Sequence, residues 1–353
     1  MIEKRVVVFG HFGSGQNLSN GQTIKTKIVT EEIEKHVGKD FVERIDTVGG
    51  VKALPKLFFK CASALKKSKN VVIFPAENGL KFFVPVLNFF NKFKKRQLFY
   101  VVIGGWLPEY LKNKKGLAKK LKKFTCVFVE TQTMKKALQE MGFENVEVMP
   151  NCKRLKVLNE EDLPINYEKP YKLCTFSRVM KEKGIEDAVN AVKAINEEKG
   201  ETVFSLDIYG QVDANQKEWF EDLQKTFPDY VSYKGVVDFD KSVEVLKEYY
   251  ALLFPTYYMG EGFAGTVLDS LSAGVPIIAS DWRYNSEIVK DNVTGIIYQT
   301  KNQEKLKKAL IFSIENNEEW MKMKRECLMQ AVNYLPQNAL KVLFNKILQG
   351  EKV

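Results

Sequence analysis

Short apolar runs bounded by glycine, proline and polar residues alternate along the chain with longer stretches whose apolar positions recur every three or four residues. In the first half these runs are RVVVFG (5–10), VVIFP (71–75), LFYVVIGG (98–105) and CVFVET (126–131). Their counterparts in the second half are KLCTFSR (172–178), FSLDIYG (204–210), YALLFP (250–255) and VPIIAS (275–280), with helical stretches such as GIEDAVNAVKAINEEKG (184–200) between them. Continuous apolar strands alternating with helices predict parallel sheets covered on both faces. The two series are separated by the polar segment VLNEEDLPINYEKPYK, whose Pro164 and Pro170 mark it as a linker. The expected organisation is a domain over 1–157, a linker over 158–170, a second domain over 171–335 and a final amphipathic segment over 336–353. Ligands of such sheets bind beyond the carboxyl ends of the strands, so two facing domains would enclose a cleft.

A length of 353 residues with 45% hydrophobic content suits two cores of ordinary size. The longest apolar runs, FFVPVLNFF and LFYVVIGGWL, fall well short of the roughly 18 to 20 residues that cross a bilayer, and the first residues do not read as a signal peptide. A cytoplasmic protein, peripheral at most at the inner face of the plasma membrane, is expected. Five scattered cysteines and two histidines, His11 and His36, suggest neither a disulfide framework nor a zinc or His-rich metal site.

Charge changes this picture. The net charge is +10, but residues 1–150 hold 27 Lys and Arg against 13 Asp and Glu, and the remainder 27 against 31, so the halves carry +14 and −4. Between Val51 and Lys123, 18 basic residues face only Glu77 and Glu109. The run LKNKKGLAKKLKKF interleaves lysines with Leu111, Leu117, Leu121 and Phe124 and reads as a basic amphipathic helix. The strip 92–123 is therefore a candidate for an anionic membrane surface, with shallow insertion of Leu117, Leu121 and Phe124; a solvated lysine face is the plainer reading.

Candidate chemistry lies at the strand ends. After YALLFP comes MGEGFAGTVLDSLSAG, in which Gly260, Gly262 and Gly265 precede a helix opened near Thr266 and stopped by Gly274 and Pro276. Bare glycines and unpaired helix N–H groups suit a phosphate or a ring of sugar hydroxyls. The alternative is a Thr266–Asp269 capping box around an ordinary turn. In FSRVMKEKG, Arg178 follows a strand and Lys183 precedes the next helix, two cations able to grip a diphosphate leaving group. A third Gly-rich turn, ending at Gly21, follows the first strand.

Together and in this order these residues resemble family 4 retaining glycosyltransferases of the GT-B fold. Glu261, seven intervening residues and Asp269 are similar to the E-x7-E signature, supported by the Arg178 and Lys183 pair, LDIYG, VSYKGVVD with Gly235, and NSEIVKDNVTGIIY. The resemblance implies an α/β fold of two Rossmann-like doubly wound domains facing across a cleft, with the final segment crossing back onto the first domain. It implies Arg178, Lys183 and Glu261 as catalytic residues, and Gly21, Gly235, Gly262, Phe263, Ala264, Gly265, Thr266 and Asp269 around a nucleotide-diphosphate sugar. Transfer with retention to a saccharide or lipid-linked saccharide, in surface polysaccharide assembly and without cofactor or metal, is the implied reaction. Two departures stand out: Asp269 replaces glutamate, one methylene shorter, and VIGGWLPEY stands where many relatives place a histidine. Asn20 replaces the first glycine of the amino-terminal pair, and Gly21 is the second. Other classes account for parts of the pattern. A non-catalytic nucleotide-sugar-binding protein would keep the cleft, a GT-B phosphorylase would use a sugar phosphate, and a nucleic-acid-binding protein would explain the +14 half but not the Gly-rich loop.

Overall fold

A computed structural model describes residues 4–13, 21–164 and 167–349. The chain forms two compact units: Met1–Arg154 with Leu335–Val353, and Leu155–Tyr334.

In unit 1 six parallel strands lie in the order β2-β1-β3-β4-β5-β6. They are β1 Lys4–Gly10, β2 Val42–Asp46, β3 Ser68–Ile73, β4 Gln97–Val101, β5 Cys126–Val129 and β6 Val146–Val148. All four residues of β5 are buried, as are the last four of β4. This is the signature of strands covered on both faces. The chain turns one way from β1 to β2 and the other way to β3, so the order reverses between β1 and β3. The final segment belongs to this core. Ala339, Leu340, Leu343 and Ile347 pack in one cluster with Val6, Val8, Ile33 and Phe128, and Phe344 stacks on His36 with ring centroids 4.5 Å apart.

Unit 2 repeats the architecture in the order β12-β11-β10-β7-β8-β9, again all parallel. Its strands are β7 Tyr171–Phe176, β8 Phe204–Tyr209, β9 Val231–Gly235, β10 Ala251–Phe254, β11 Ile277–Ser280 and β12 Gly295–Tyr298. Here the order reverses between β7 and β10. Segment 158–170, read from its composition as a linker, lies within this unit. Leu158 N–H donates to the carbonyl of Ser272 at 3.0 Å, Leu163 is buried, and Tyr167 packs edge-on against Tyr250. Its apolar positions, spaced too widely to form a pattern, are what fix it there.

The basic stretch of unit 1 differs from expectation. Lys115–Leu121 is a helix, but of the residues expected to insert Leu121 and Phe124 are 0% and 3% exposed and Leu117 alone is partly exposed, so insertion by the three together is not available. Lys119, Lys120, Lys122 and Lys123 are exposed. Among the described residues no helix is long and apolar enough to cross a membrane.

Candidate functional site

Segments following β7 and β10 meet at the carboxyl edge of the unit 2 sheet, at the point where the strand order reverses. Gly184 lies in the left-handed region with φ 70°, and a Cβ there would stand 2.3 Å from the carbonyl oxygen of Pro255. Only glycine lets the two segments approach so closely. Tyr257 N–H then donates to the carbonyl of Glu182 at 2.8 Å, tying them together.

This approach joins Lys183 to Glu261. The ammonium donates to Glu261 Oε2 at 2.6 Å, with side chains 12% and 8% exposed. Thr256, fully buried two residues beyond β10, donates its hydroxyl to the same oxygen at 2.8 Å. Lys183 also lies over the ring of Tyr258, 5.1 Å from its centroid. Behind Thr256, Ser280 donates to its carbonyl at 2.6 Å and Asn285 to the carbonyl of Ser280 at 3.1 Å. Among the described residues both side-chain bonds to the carboxylate fall on Oε2, which leaves Oε1 able to accept a further hydrogen bond. The ammonium has three N–H donors, and those not used by Glu261 can turn to an anion.

The glycine loop passes from this pair into the helix Gly265–Ser272. Its N-cap is Ala264, with no side-chain cap, so the first-turn N–H groups carry their partial positive charge uncapped by any side chain. The Thr266–Asp269 capping box does not form, because Thr266 already lies inside the helix. Its hydroxyl is buried without a hydrogen-bond partner among the described residues. Asp269, 3% exposed, accepts from the Ser242 hydroxyl at 2.8 Å. Phe263 is turned inward, 7% exposed and 4.9 Å from the ring of Tyr334, which leaves its backbone to the loop. Gly262 is buried; Ala264 and Gly265 are partly exposed.

The remaining expected residues are dispersed. Arg178 leaves the end of β7 with its side chain 58% exposed and its guanidinium 3.6 Å from Asp213. Gly235 ends the edge strand β9 with φ 78°, and its carbonyl accepts from Gly210 N–H at 2.8 Å. Gly21, in unit 1, opens the helix Gly21–Val37; Asn20 lies outside the described residues. His11 Nδ1 is 3.1 Å from the Thr23 hydroxyl. Asp238 and Asp240 make an Asp-x-Asp after β9, but both are exposed, and among the described residues no group of three His, Cys, Asp or Glu side chains converges.

Thr256, Tyr258 and Ser280 are site residues that the motif reading passed over. The signal was present, since Thr256 and Ser280 are the polar residues that close the apolar runs ALLFP and PIIAS.

Residues 159–327 match the family model described as glycosyl transferases group 1. An uncharacterized glycosyltransferase of Methanocaldococcus jannaschii is 25% identical over 64% of this chain and 61% of its own length. A poly(glycerol-phosphate) alpha-glucosyltransferase of Bacillus subtilis is 29% identical over 52% of this chain and 26% of its own. The chain thus spans about three fifths and about one quarter of these relatives. Among solved structures, Anabaena HepE in complex with UDP and glucose superimposes with a TM-score of 0.73 at 13% identity, covering 98% of this chain and 100% of that one. The chain therefore has the GT-B fold, and over residues 159–327 its second unit is matched by the group 1 glycosyl transferases.

Proposed function

We propose that the protein is a retaining hexosyltransferase of family 4 type, moving a sugar from a nucleotide-diphosphate donor to a saccharide or lipid-linked saccharide in surface polysaccharide or glycoconjugate assembly. The observation that carries this reading is the buried Lys183–Glu261–Thr256 cluster at the point of strand reversal, beside a glycine loop that opens an uncapped helix. Lys183 and the first-turn N–H groups hold the diphosphate, and Arg178, exposed at the same strand end, swings onto it. Glu261 Oε1 takes a hydroxyl of the hexose, Thr266 turns its unpartnered hydroxyl to the phosphate, and the backbone of Gly262, Phe263, Ala264 and Gly265 approaches the donor closely. Gly235 lines the donor from the end of β9, and Asp269 supports the nucleotide side.

In the proposed step the acceptor hydroxyl attacks the anomeric carbon from the face the diphosphate leaves. Its proton passes to the departing phosphate oxygen, and the charge released is met by Lys183 and Arg178. No metal enters this scheme. The binding of UDP by Anabaena HepE and the transfer named for the Bacillus relative support a nucleotide-sugar donor and a glycan or polyol acceptor.

The test is single-turnover transfer after a thermal-shift screen of UDP-, GDP- and ADP-sugars. Lys183→Ala, Glu261→Ala and Arg178→Ala are each expected to slow transfer by about tenfold or more, as for loss of one charge-assisted contact. Parent-like rates in all three place the donor site elsewhere. Transfer is expected to persist in EDTA; its loss with rescue by Mn²⁺ or Mg²⁺ overturns the metal-free scheme.

A further inference from the structure

Helices Leu54–Lys67 and Glu77–Lys94 of unit 1 bury one side and leave large rings in water on the other. Phe59 is 72% exposed, Phe89 56% and Phe93 77%. These rings are not scattered. Phe58 meets Phe59 at 5.7 Å between centroids and Phe90 at 5.1 Å, and Phe90 meets Phe89 at 5.3 Å, so one chain of edge contacts crosses from helix to helix. Phe93 follows Phe89 by four residues and shares its side of the helix. Core positions on the same helices are filled separately, by Leu57, Cys61, Leu65, Phe83, Val84 and Leu87. A contiguous exposed aromatic patch on a folded unit marks a surface that meets something apolar.

Charge narrows what that is. From Lys52 to Arg96 the only acid is Glu77. Lys56, Lys92, Lys94 and Lys95 are exposed around the rings and make no ion pair among the described residues. A second copy of the chain would bring the same lysines against themselves. A soluble polyanion would satisfy the lysines and leave the rings in water. An anionic bilayer satisfies both, because headgroups meet the ammonium groups while rings enter the acyl boundary.

We infer that this face docks unit 1 on an anionic membrane, with Phe59, Phe89 and Phe93 inserted and Lys56, Lys92, Lys94 and Lys95 on the headgroups. It replaces Leu117, Leu121 and Phe124 as the inserting element, since Leu121 and Phe124 are buried. The inference deepens the acceptor half of the proposed function, yet its measurement needs no sugar.

Full-length protein is sedimented with vesicles of phosphatidylcholine alone or with phosphatidylglycerol added, at moderate salt. The parent is expected to bind only the anionic vesicles. Phe59→Ser, Phe89→Ser and Phe93→Ser combined should lower the bound fraction by about tenfold or more, with the thermal midpoint of the parent retained because these rings are exposed. Lys92→Gln, Lys94→Gln and Lys95→Gln combined should weaken binding and reduce its salt dependence. Three outcomes overturn the inference: no binding by the parent, equal binding by the serine variant, or a parent dimer that the serine variant converts to monomer. Soluble poly(glycerol phosphate) competing fully with vesicles, with the serine variant unaffected, also overturns it. Vesicle binding without sugar transfer would sink the transferase reading alone, and transfer to a soluble acceptor without vesicle binding would sink the docking face alone.

Discussion

At Glu261 two donors converge on one carboxylate oxygen, Lys183 from the β7 side and Thr256 from beneath. Thr256→Val keeps the shape and removes one donor. It should lower kcat/KM by roughly tenfold, equivalent to about 1.4 kcal/mol, with the fold intact; an unchanged kcat/KM would show that Lys183 alone positions Glu261. Lys324 is a different case, fully buried in the helix Asn317–Ala331 with no hydrogen-bond partner among the described residues and lying over Tyr167. Burial pushes its pKa down to about 8. Below that pH the folded chain carries a buried, unpaired charge. Between about 8 and the ordinary lysine value only the unfolded chain holds the proton, so this residue makes stability rise with pH across that window. Lys324→Met should therefore stabilise the protein at neutral pH by about 1–3 kcal/mol and flatten the rise, read as unfolding midpoints across the window. A variant less stable than the parent at neutral pH contradicts this account.

At the scale of elements, packing decided what pattern left open. The strands that the apolar runs revealed are the eight interior ones, β1, β3, β4 and β5 in unit 1 and β7, β8, β10 and β11 in unit 2. The edges β2, β6, β9 and β12 carry mixed burial and only short apolar runs, so periodicity gave them no clear signature. Helix ends follow side-chain chemistry more directly: Thr131 accepts from Met134 N–H at 3.2 Å to cap Gln132–Glu140, and Thr131→Ala should cost about 1 kcal/mol in chemical denaturation. A buried ion pair, Lys25 to Glu130 at 2.5 Å with side chains 2% and 3% exposed, joins the helix Gly21–Val37 to the end of β5. Glu130 Oε2 also accepts from Gly104 N–H at 3.3 Å, in the glycine pair that follows β4. Lys25→Met removes the cation from beside that buried carboxylate, and a loss of about 3–5 kcal/mol is expected; a loss under about 1 kcal/mol would mean that the pair contributes little.

For the whole molecule, the last residues matter most. Leu340 and Leu343 are fully buried in the core of unit 1, more than 300 residues from β1 in sequence. Leu343→Ala should destabilise unit 1 by about 2–5 kcal/mol, while Trp320, buried in unit 2, reports whether that unit unfolds separately. A single transition in which both units lose stability equally would show that they unfold as one.

The sequence by itself determined the α/β class, the two sheets, the glycine loop, and the positions of Arg178, Lys183 and Glu261, because interior strands and helix-opening loops leave local signatures in residue type and spacing. Tertiary structure alone decided which of these meet. Lys183 and Glu261 are separated by 78 positions and pair only because β7 and β10 are neighbours and Gly184 permits close approach. Likewise, alternation of lysine with leucine shows that a helix has two sides, but not whether its apolar side faces protein or water. Leu121 and Phe124 went to the core, and Phe59, Phe89 and Phe93 to the surface, because burial is settled by what packs across from a residue and not by the residue itself.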